Sequence, residues 1–254
     1  MIQPARYLVL AALAGVAAHA AAWDGLSAGL NVGIVRSHAH YQTGPDDTGW
    51  FKISGQTASM WREGNRGDAD YTGLAGLSLI WGRQSGSFVY GAQLGVNAMR
   101  TQLDTTNTRN YSKNTVYTGS ESFAYRQSVN ATGLYTLAAR AGHAFGHSLL
   151  SGTAGLGVTR LSPVLTYQDT YTGTAKYTAS HRQTKTRAGW AVGLDYQYRL
   201  ANGLNLKGEY TFIDFGKTSF TTTTLDGAGT DRGTMNFSAK VRMSTFMFGI
   251  EKQF

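Results

Sequence analysis

Leu26-Ser27-Ala28-Gly29-Leu30-Asn31-Val32-Gly33-Ile34 alternates at every step. Leu26, Ala28, Leu30, Val32 and Ile34 fall on one face, and Ser27, Gly29, Asn31 and Gly33 on the other. Period two is the signature of a half-buried β-strand, because successive side chains of a strand point to opposite faces. The pattern recurs along the chain. Tyr71, Ala75, Leu77, Leu79 and Trp81 share one face, with Leu74 and Ile80 out of phase. Phe88, Tyr90, Ala92, Leu94, Val96 and Ala98 follow, then Val129, Ala131, Tyr135, Leu137, Ala139 and Ala141. Leu150, Ala154, Leu156 and Val158 make a fifth segment, and Trp190, Val192, Leu194, Tyr196 and Tyr198 a sixth. Leu204, Leu206, Tyr210 and Phe212 make the seventh, and Phe246, Phe248, Ile250 and Phe254 the eighth.

The connections alternate in length. Arg83-Gln84-Ser85-Gly86-Ser87, Gly146-His147 and Ala201-Asn202-Gly203 are tight turns, with Gly or Asn where positive φ is wanted. Between them lie long polar stretches at 36–69, 100–127, 160–187 and 216–239. Short turns at one end, long loops at the other and segments of about ten alternating residues predict a transmembrane β-barrel. In hydrocarbon the sheet must close, since an open edge would leave backbone groups unpaired. One face is bulky and the other small. This suits a narrow eight-stranded barrel whose bulky face meets lipid and whose lumen holds Gly, Ser, Thr and Asn. Aromatic residues at segment ends (Trp23, Tyr71, Trp81, Phe88, Tyr90, Phe145, Tyr196, Tyr198, Phe254) suit an interfacial belt. The expected fold is all-β: an eight-stranded antiparallel transmembrane β-barrel of outer-membrane type, with both termini periplasmic.

Composition agrees. Of 254 residues 32 are Gly and 15% are charged, against averages of about 7% and about 25%, which excludes coiled coils and charged disordered tails. The absence of Cys excludes disulfides, thiolate zinc sites and a Cys nucleophile. Residues 1–22 read as a signal peptide: a short basic start ending at Arg6, an apolar run from Tyr7 to Ala18 too short to span a bilayer, and A-x-A-like small residues at Ala18, Ala20 and Ala22. Export leaves 23–254 as the barrel domain, expected in the cell outer membrane. It also makes nucleic acid an unsuitable partner despite the net charge of +8.

Trp23-x-Gly25-x-x-x-Gly29-x-x-x-Gly33 resembles the opening of the small outer-membrane immunogenic proteins of alphaproteobacteria, the porin-family outer-membrane β-barrels, with Ser27 in place of the usual Tyr. Gly189-Trp190-x-x-Gly193-x-x-Tyr196 resembles that family's sixth strand. Lys207-x-Glu209-Tyr210 with Asp214-Phe215-Gly216 resembles its seventh. Gly249-x-x-Lys252-x-Phe254 resembles the signal read by the barrel assembly machinery, with Lys252 where an aromatic or apolar residue is usual. The resemblance implies a surface barrel and does not by itself imply a diffusion pore.

Chemistry-bearing residues are few. His143 with His147-Ser148 falls at a periplasmic turn, the wrong leaflet for lipid A deacylation, and reads as turn and interface. His38 and His40, spaced i, i+2, could hold a metal or a haem edge but suit a solvated loop better. Gly155-Leu156-Gly157 lacks the strand–turn–helix setting of a phosphate loop. No catalytic residue, metal ligand or cofactor is expected. The lumen-facing parity carries Arg140, Asp195, Arg199, Lys207, Glu209 and Glu251, three of each sign. A balanced set predicts a pairing network that plugs the barrel, whereas an ion-selective pore favours one sign. On the lipid-facing parity, Arg36, Arg100, Arg160, Lys240 and Arg242 end four strands at the outer side, placed to contact lipopolysaccharide phosphates. The expected role is structural, with surface presentation through the loops. The alternative is a small-solute channel or a haem- or ligand-binding surface receptor.

Overall fold

The computed structural model describes residues 23–254 except 115, 116, 172 and 173; the expected signal peptide lies outside the described residues. The chain forms β1 (Gly25–Pro45), α1 (Gly49–Ser54), α2 (Thr57–Glu63), β2 (Arg66–Ser85), β3 (Phe88–Asn110), β4 (Ser122–Phe145), β5 (Ser148–Tyr171), β6 (Thr174–Arg182), β7 (Lys185–Arg199), β8 (Leu204–Asp226) and β9 (Asp231–Gln253). Each strand pairs antiparallel with the next except β6, which pairs with β5 and β8 rather than with β7, and β9 returns to β1 from Ser27↔Gln253 up to Pro45↔Met235. Through the lower wall the ring closes on itself with eight strands. Low down β7 lies between β5 and β8; higher up β6 takes its place, pairing with β5 over Val164–Tyr171 and touching β8 at Tyr177↔Asp226. Phe254 N donates to Leu26 O at 2.9 Å, so both ends of the sheet meet at the end of the short turns.

The outward face of the lower half is the apolar belt the sequence predicts. Leu30, Val32, Ile34, Leu79, Leu94, Leu137, Leu156, Leu194, Phe248 and Ile250 are all exposed. On β1 the belt runs from Leu26 to Ile34, about 26 Å along the strand and about 20 Å at the usual tilt, close to the ~25 Å band of outer-membrane barrels. An apolar surface encircling the molecule far exceeds the few hundred Å² that a soluble monomer leaves uncovered.

Four expectations are corrected. Much of the long stretches at 36–69, 100–127, 160–187 and 216–239 is strand, not loop: the wall rises far above the belt, and among the described residues the apex holds 46–65 with its two helices, 111–114, 117–121 and 227–230. Alternation persists there with the bulk reversed. Tyr41, Leu103, Phe123, Tyr125, Leu165, Tyr167 and Phe237 point inward and are at most 1% exposed, while His38, His40 and Gln102 face out. Water outside replaces lipid, so the bulky residues turn in. The lumen is therefore filled with small and polar residues only in its lower half. Second, Val129 and Ala131 point inward at 0% exposure, although Tyr135 and Leu137 on the same strand and parity face lipid. The register slips between Thr132 and Tyr135, where Gly133 takes φ +67°, a conformation that suits glycine, and the strand changes face. Third, Leu74 and Ile80, the two residues out of phase on β2, are simply lumen residues at 4% exposure. Fourth, Trp23 does not join an outer belt. It is 6% exposed and closes the mouth at the short-turn end against Val89 and Leu149.

Candidate functional site

The lower lumen gathers five of the six charges expected there. Arg140 of β4 and Asp195 of β7 meet at 2.8 Å, with side chains 3% and 0% exposed. Arg140 also donates to Ser151 Oγ at 2.9 Å. Lys207 of β8 lies 2.7 Å from Glu209 and 3.4 Å from Glu251 of β9. Neutral donors serve the two glutamates. Gln93 Nε2 and Thr211 Oγ1 donate to Glu209, each at 2.8 Å, and Gln197 Nε2 donates to Glu251 at 2.8 Å with Ser78 Oγ at 3.2 Å. The strand parity explains the convergence: every one of these residues is an inward position on its strand.

Arg199 is a correction. It shares the inward parity but stands at the mouth, where its guanidinium lies 4.4 Å from the Trp23 ring centroid and donates to Gln253 Oε1 at 2.6 Å. The closed network thus holds two cations and three carboxylates, not three of each. The amide and hydroxyl donors of Gln93, Gln197, Ser78 and Thr211 spread the excess negative charge over neutral dipoles, as buried carboxylates require.

Above the network the lumen changes character. Val35, Tyr41, Met60, Leu103, Tyr125, Leu165, Tyr167, Phe237 and Met243 form one continuous apolar cluster with Phe51 of α1. Tyr111 stacks on Tyr117 at 4.0 Å between centroids and shares a hydrogen bond of 3.1 Å with Tyr167. Burial pushes the Tyr117 phenol up to about 12. The upper cluster and the ion network were both in the sequence, but only the network announced itself, through its charges.

The five cations of the outer rim all sit on outward positions. Arg36 lies 5.7 Å from the Tyr71 ring centroid. On β9, Arg242 and Lys240 both reach Asp214 Oδ2, at 3.0 Å and 3.3 Å, and they stand opposite His38 and His40 of β1. Arg100 and Arg160 flank Thr132 of β4 from either side. The structure therefore makes two groups: Arg36, Arg242 and Lys240 around the β1–β9 closure, and Arg100 with Arg160 across β4. Asp214, which draws Lys240 and Arg242 together, and Lys217, paired in register with Lys240, were not expected there. Gly249 and Phe254 stand at the closing strand. A Cβ on Gly249 would come within 2.1 Å of Asn31 Oδ1, and Lys252 Nζ donates to Asn202 O.

His143 packs beside Phe145 and His147 beside Tyr198, while the Ser148 hydroxyl pairs with Tyr196 at 2.8 Å instead of with a histidine. His38 and His40 lie on strand β1, not in a loop. No group of three metal-ligating side chains occurs among the described residues.

No known family profile and no curated protein matches the chain. Solved structures do. OprG of Pseudomonas aeruginosa, an outer-membrane protein, aligns over 91% of this chain and 97% of its own at 12% identity and a TM-score of 0.53. The outer-membrane protease OmpT of Escherichia coli aligns over 93% and 99% at 10% identity and a TM-score of 0.46. Ail, the attachment invasion locus protein of Yersinia pestis, aligns over 91% and 99% at 12% identity and a TM-score of 0.37. Of these three, the likeness to OprG exceeds a TM-score of 0.5, and at that identity it bears on fold alone. Together with the closed ring and the apolar belt, it makes this chain an eight-stranded outer-membrane β-barrel.

Proposed function

We propose that this barrel is a closed structural element of the outer membrane. It presents its tall outer wall and apex at the surface and holds lipopolysaccharide phosphates along its rim. The observation that carries the reading is a succession of buried layers along the lumen: Trp23, Val89 and Leu149 at the mouth, the ion network above them, then the apolar cluster under α1 and α2. A diffusion channel needs a continuous aqueous path lined by polar groups, and an apolar layer of this depth interrupts one. The rim supports the second part. Arg36, Lys240, Arg242, Arg100 and Arg160 stand where the belt ends, and guanidinium groups pair well with phosphate. An exported precursor, cleavage after residue 22, recognition of Gly249 and Phe254 by the assembly machinery and kinship with the immunogenic family fit this role. The channel alternative is the competing outcome of one experiment. Purified barrel in planar bilayers should show no steady single-channel steps; regular ohmic steps at low voltage would overturn the closed reading. For the rim, the variant with Arg36, Lys240 and Arg242 all changed to Gln should carry less lipopolysaccharide per folded protein. An unchanged ratio would refute the contact.

A further inference from the structure

The wall is not uniformly laddered. Backbone pairing between β2 and β3 stops at Leu74↔Met99. Yet β2 continues to Arg66 paired with β1, and β3 continues to Asn110 paired with β4. Over 66–73 and 100–110 the two strands face each other across a seam closed by side chains. Asp70 Oδ2 accepts from Thr101 Oγ1 at 2.8 Å and from the Gln102 amide at 3.2 Å. Asp68 Oδ2 accepts from the Asp104 amide at 2.8 Å. Tyr41 of β1 reaches past β2 and donates to Leu103 O at 3.0 Å. At the top, Glu63 of α2 pairs with Arg66 of β2 at 2.5 Å and with Arg109 of β3 at 3.2 Å, and accepts from Asn107 at 2.9 Å.

A sheet in which two neighbours drop their ladder while keeping their outer partners is locally easier to part, because side-chain contacts replace many backbone bonds. The foot of this seam lies where the belt ends, just above Ala98 and beside Tyr71 and Arg100. Behind it is the apolar cluster. Five of the chain's six methionines, Met60, Met99, Met235, Met243 and Met247, belong to that cluster. Unbranched thioether side chains repack around varied shapes more readily than branched ones. Two hydroxyls in the same space have no partner: Tyr125, 1% exposed, and Ser37, 0% exposed.

We propose that the β2–β3 seam is a carboxylate-latched side door. It admits an elongated apolar molecule bearing one hydrogen-bonding group, such as a long-chain alcohol, from the outer leaflet into the methionine-lined upper lumen. The inference goes beyond the closed structural role, because it needs no aqueous path through the barrel. It can fail while the conductance result stands.

The test uses the full barrel in lipid vesicles with a hexadecanol carrying a mid-chain diazirine. Labelled residues are located by mass spectrometry after illumination. The chain has no Cys, so Asp70→Cys with Thr101→Cys places a disulfide across the seam alone. Leu77→Cys with Val96→Cys, a directly paired position below it, controls for the cross-link itself. Labelling of Met99, Leu103 and Tyr125 is expected in the wild type and in the control. It should be lost in the oxidised seam variant, return on reduction, and rise when Asp68→Ala and Asp70→Ala unlatch the seam. Labelling of the outer belt at Leu94 and Val96 in the single-chain wild type and the unlatched variant verifies that each is folded and inserted. Absence of lumen labelling from wild-type and unlatched protein with a labelled belt would overturn the proposal, as would lumen labelling that the seam disulfide leaves unchanged.

Discussion

Replacing Lys207 with Met tests the ion network most sharply. The ammonium sits between Glu209 and Glu251 with its side chain 1% exposed. Methionine keeps the stem and removes the charge, leaving the two acids facing each other. Breaking a buried pair by deleting one partner costs about 3–5 kcal/mol. The chain has an escape, however: one of the stranded carboxyls can take up a proton. From an ordinary value of about 4.3, neutralising it costs about 1.4 kcal/mol per pH unit, about 3.7 kcal/mol at pH 7 and about 1 kcal/mol at pH 5. The penalty should therefore be capped near 3–4 kcal/mol at pH 7 and shrink to about 1 kcal/mol at pH 5. Urea titration of the barrel folded in lipid vesicles, read by heat-modifiable migration on gels, measures both. The double variant with Glu251→Gln removes one acid as well and should recover most of the loss at pH 7. A penalty that is absent, or equal at both pH values, would mean that these charges are independently hydrated and that the lower lumen is open to water.

Other consequences are simpler to read. Gly249→Val should cost about 1–3 kcal/mol and lower the fraction of folded barrel, because a side chain there displaces Asn31 and crowds Leu30 O; a fully folded, equally stable variant would contradict the packing of the β1–β9 closure. Glu63 is held below the usual carboxylate range chiefly by the Asn107 hydrogen bond, aided by Arg109, Arg66 and Arg62. Its clasp should be intact above about pH 4.3 and lost as pH falls through its lower folded value. Glu63→Gln should loosen the cap by about 1 kcal/mol, since the arginines are partly exposed, and should speed acid-protease cleavage within 46–65 at pH 5 but not at pH 2; equal rates at pH 5 would refute the clasp. Protease added to intact cells should cut at 46–65, 111–121 or 227–230 and spare 86–87 and 201–203; cleavage at the latter would invert the topology.

The lower half of the barrel was legible because lipid outside and a narrow lumen inside demand opposite sizes. Leu30, Val32 and Ile34 against Asn31 and Gly33 can hardly be read otherwise. The upper wall was not legible. There the outward residues are Thr, Arg, His and Gln, the inward ones mix Tyr and Met with Ala and Ser, and the stretch reads as a polar loop. Slips such as the one at Gly133 compound this, since a sequence parity carried through a bulge puts Val129 on the wrong face. The ion network was visible as a set of inward charges, but parity alone could not separate Arg199 at the mouth from Arg140 within. The short strand β6, which completes the ring above β7, has no apolar run to announce it. The seam is invisible in sequence, because Asp68 and Asp70 look like loop acids until the missing ladder beside them is seen.

The central claim is that lipid meets the bulky face of each lower strand while the other face is sealed inside. Strand β3 tests it directly, because the chain has no native Cys. Single Cys residues at positions 92 to 98, each carrying a small fluorophore in the membrane-inserted barrel, can be quenched by brominated acyl chains. Positions 92, 94, 96 and 98 should be strongly quenched, and 93, 95 and 97 protected. Uniform quenching, or the opposite phase, would contradict the account.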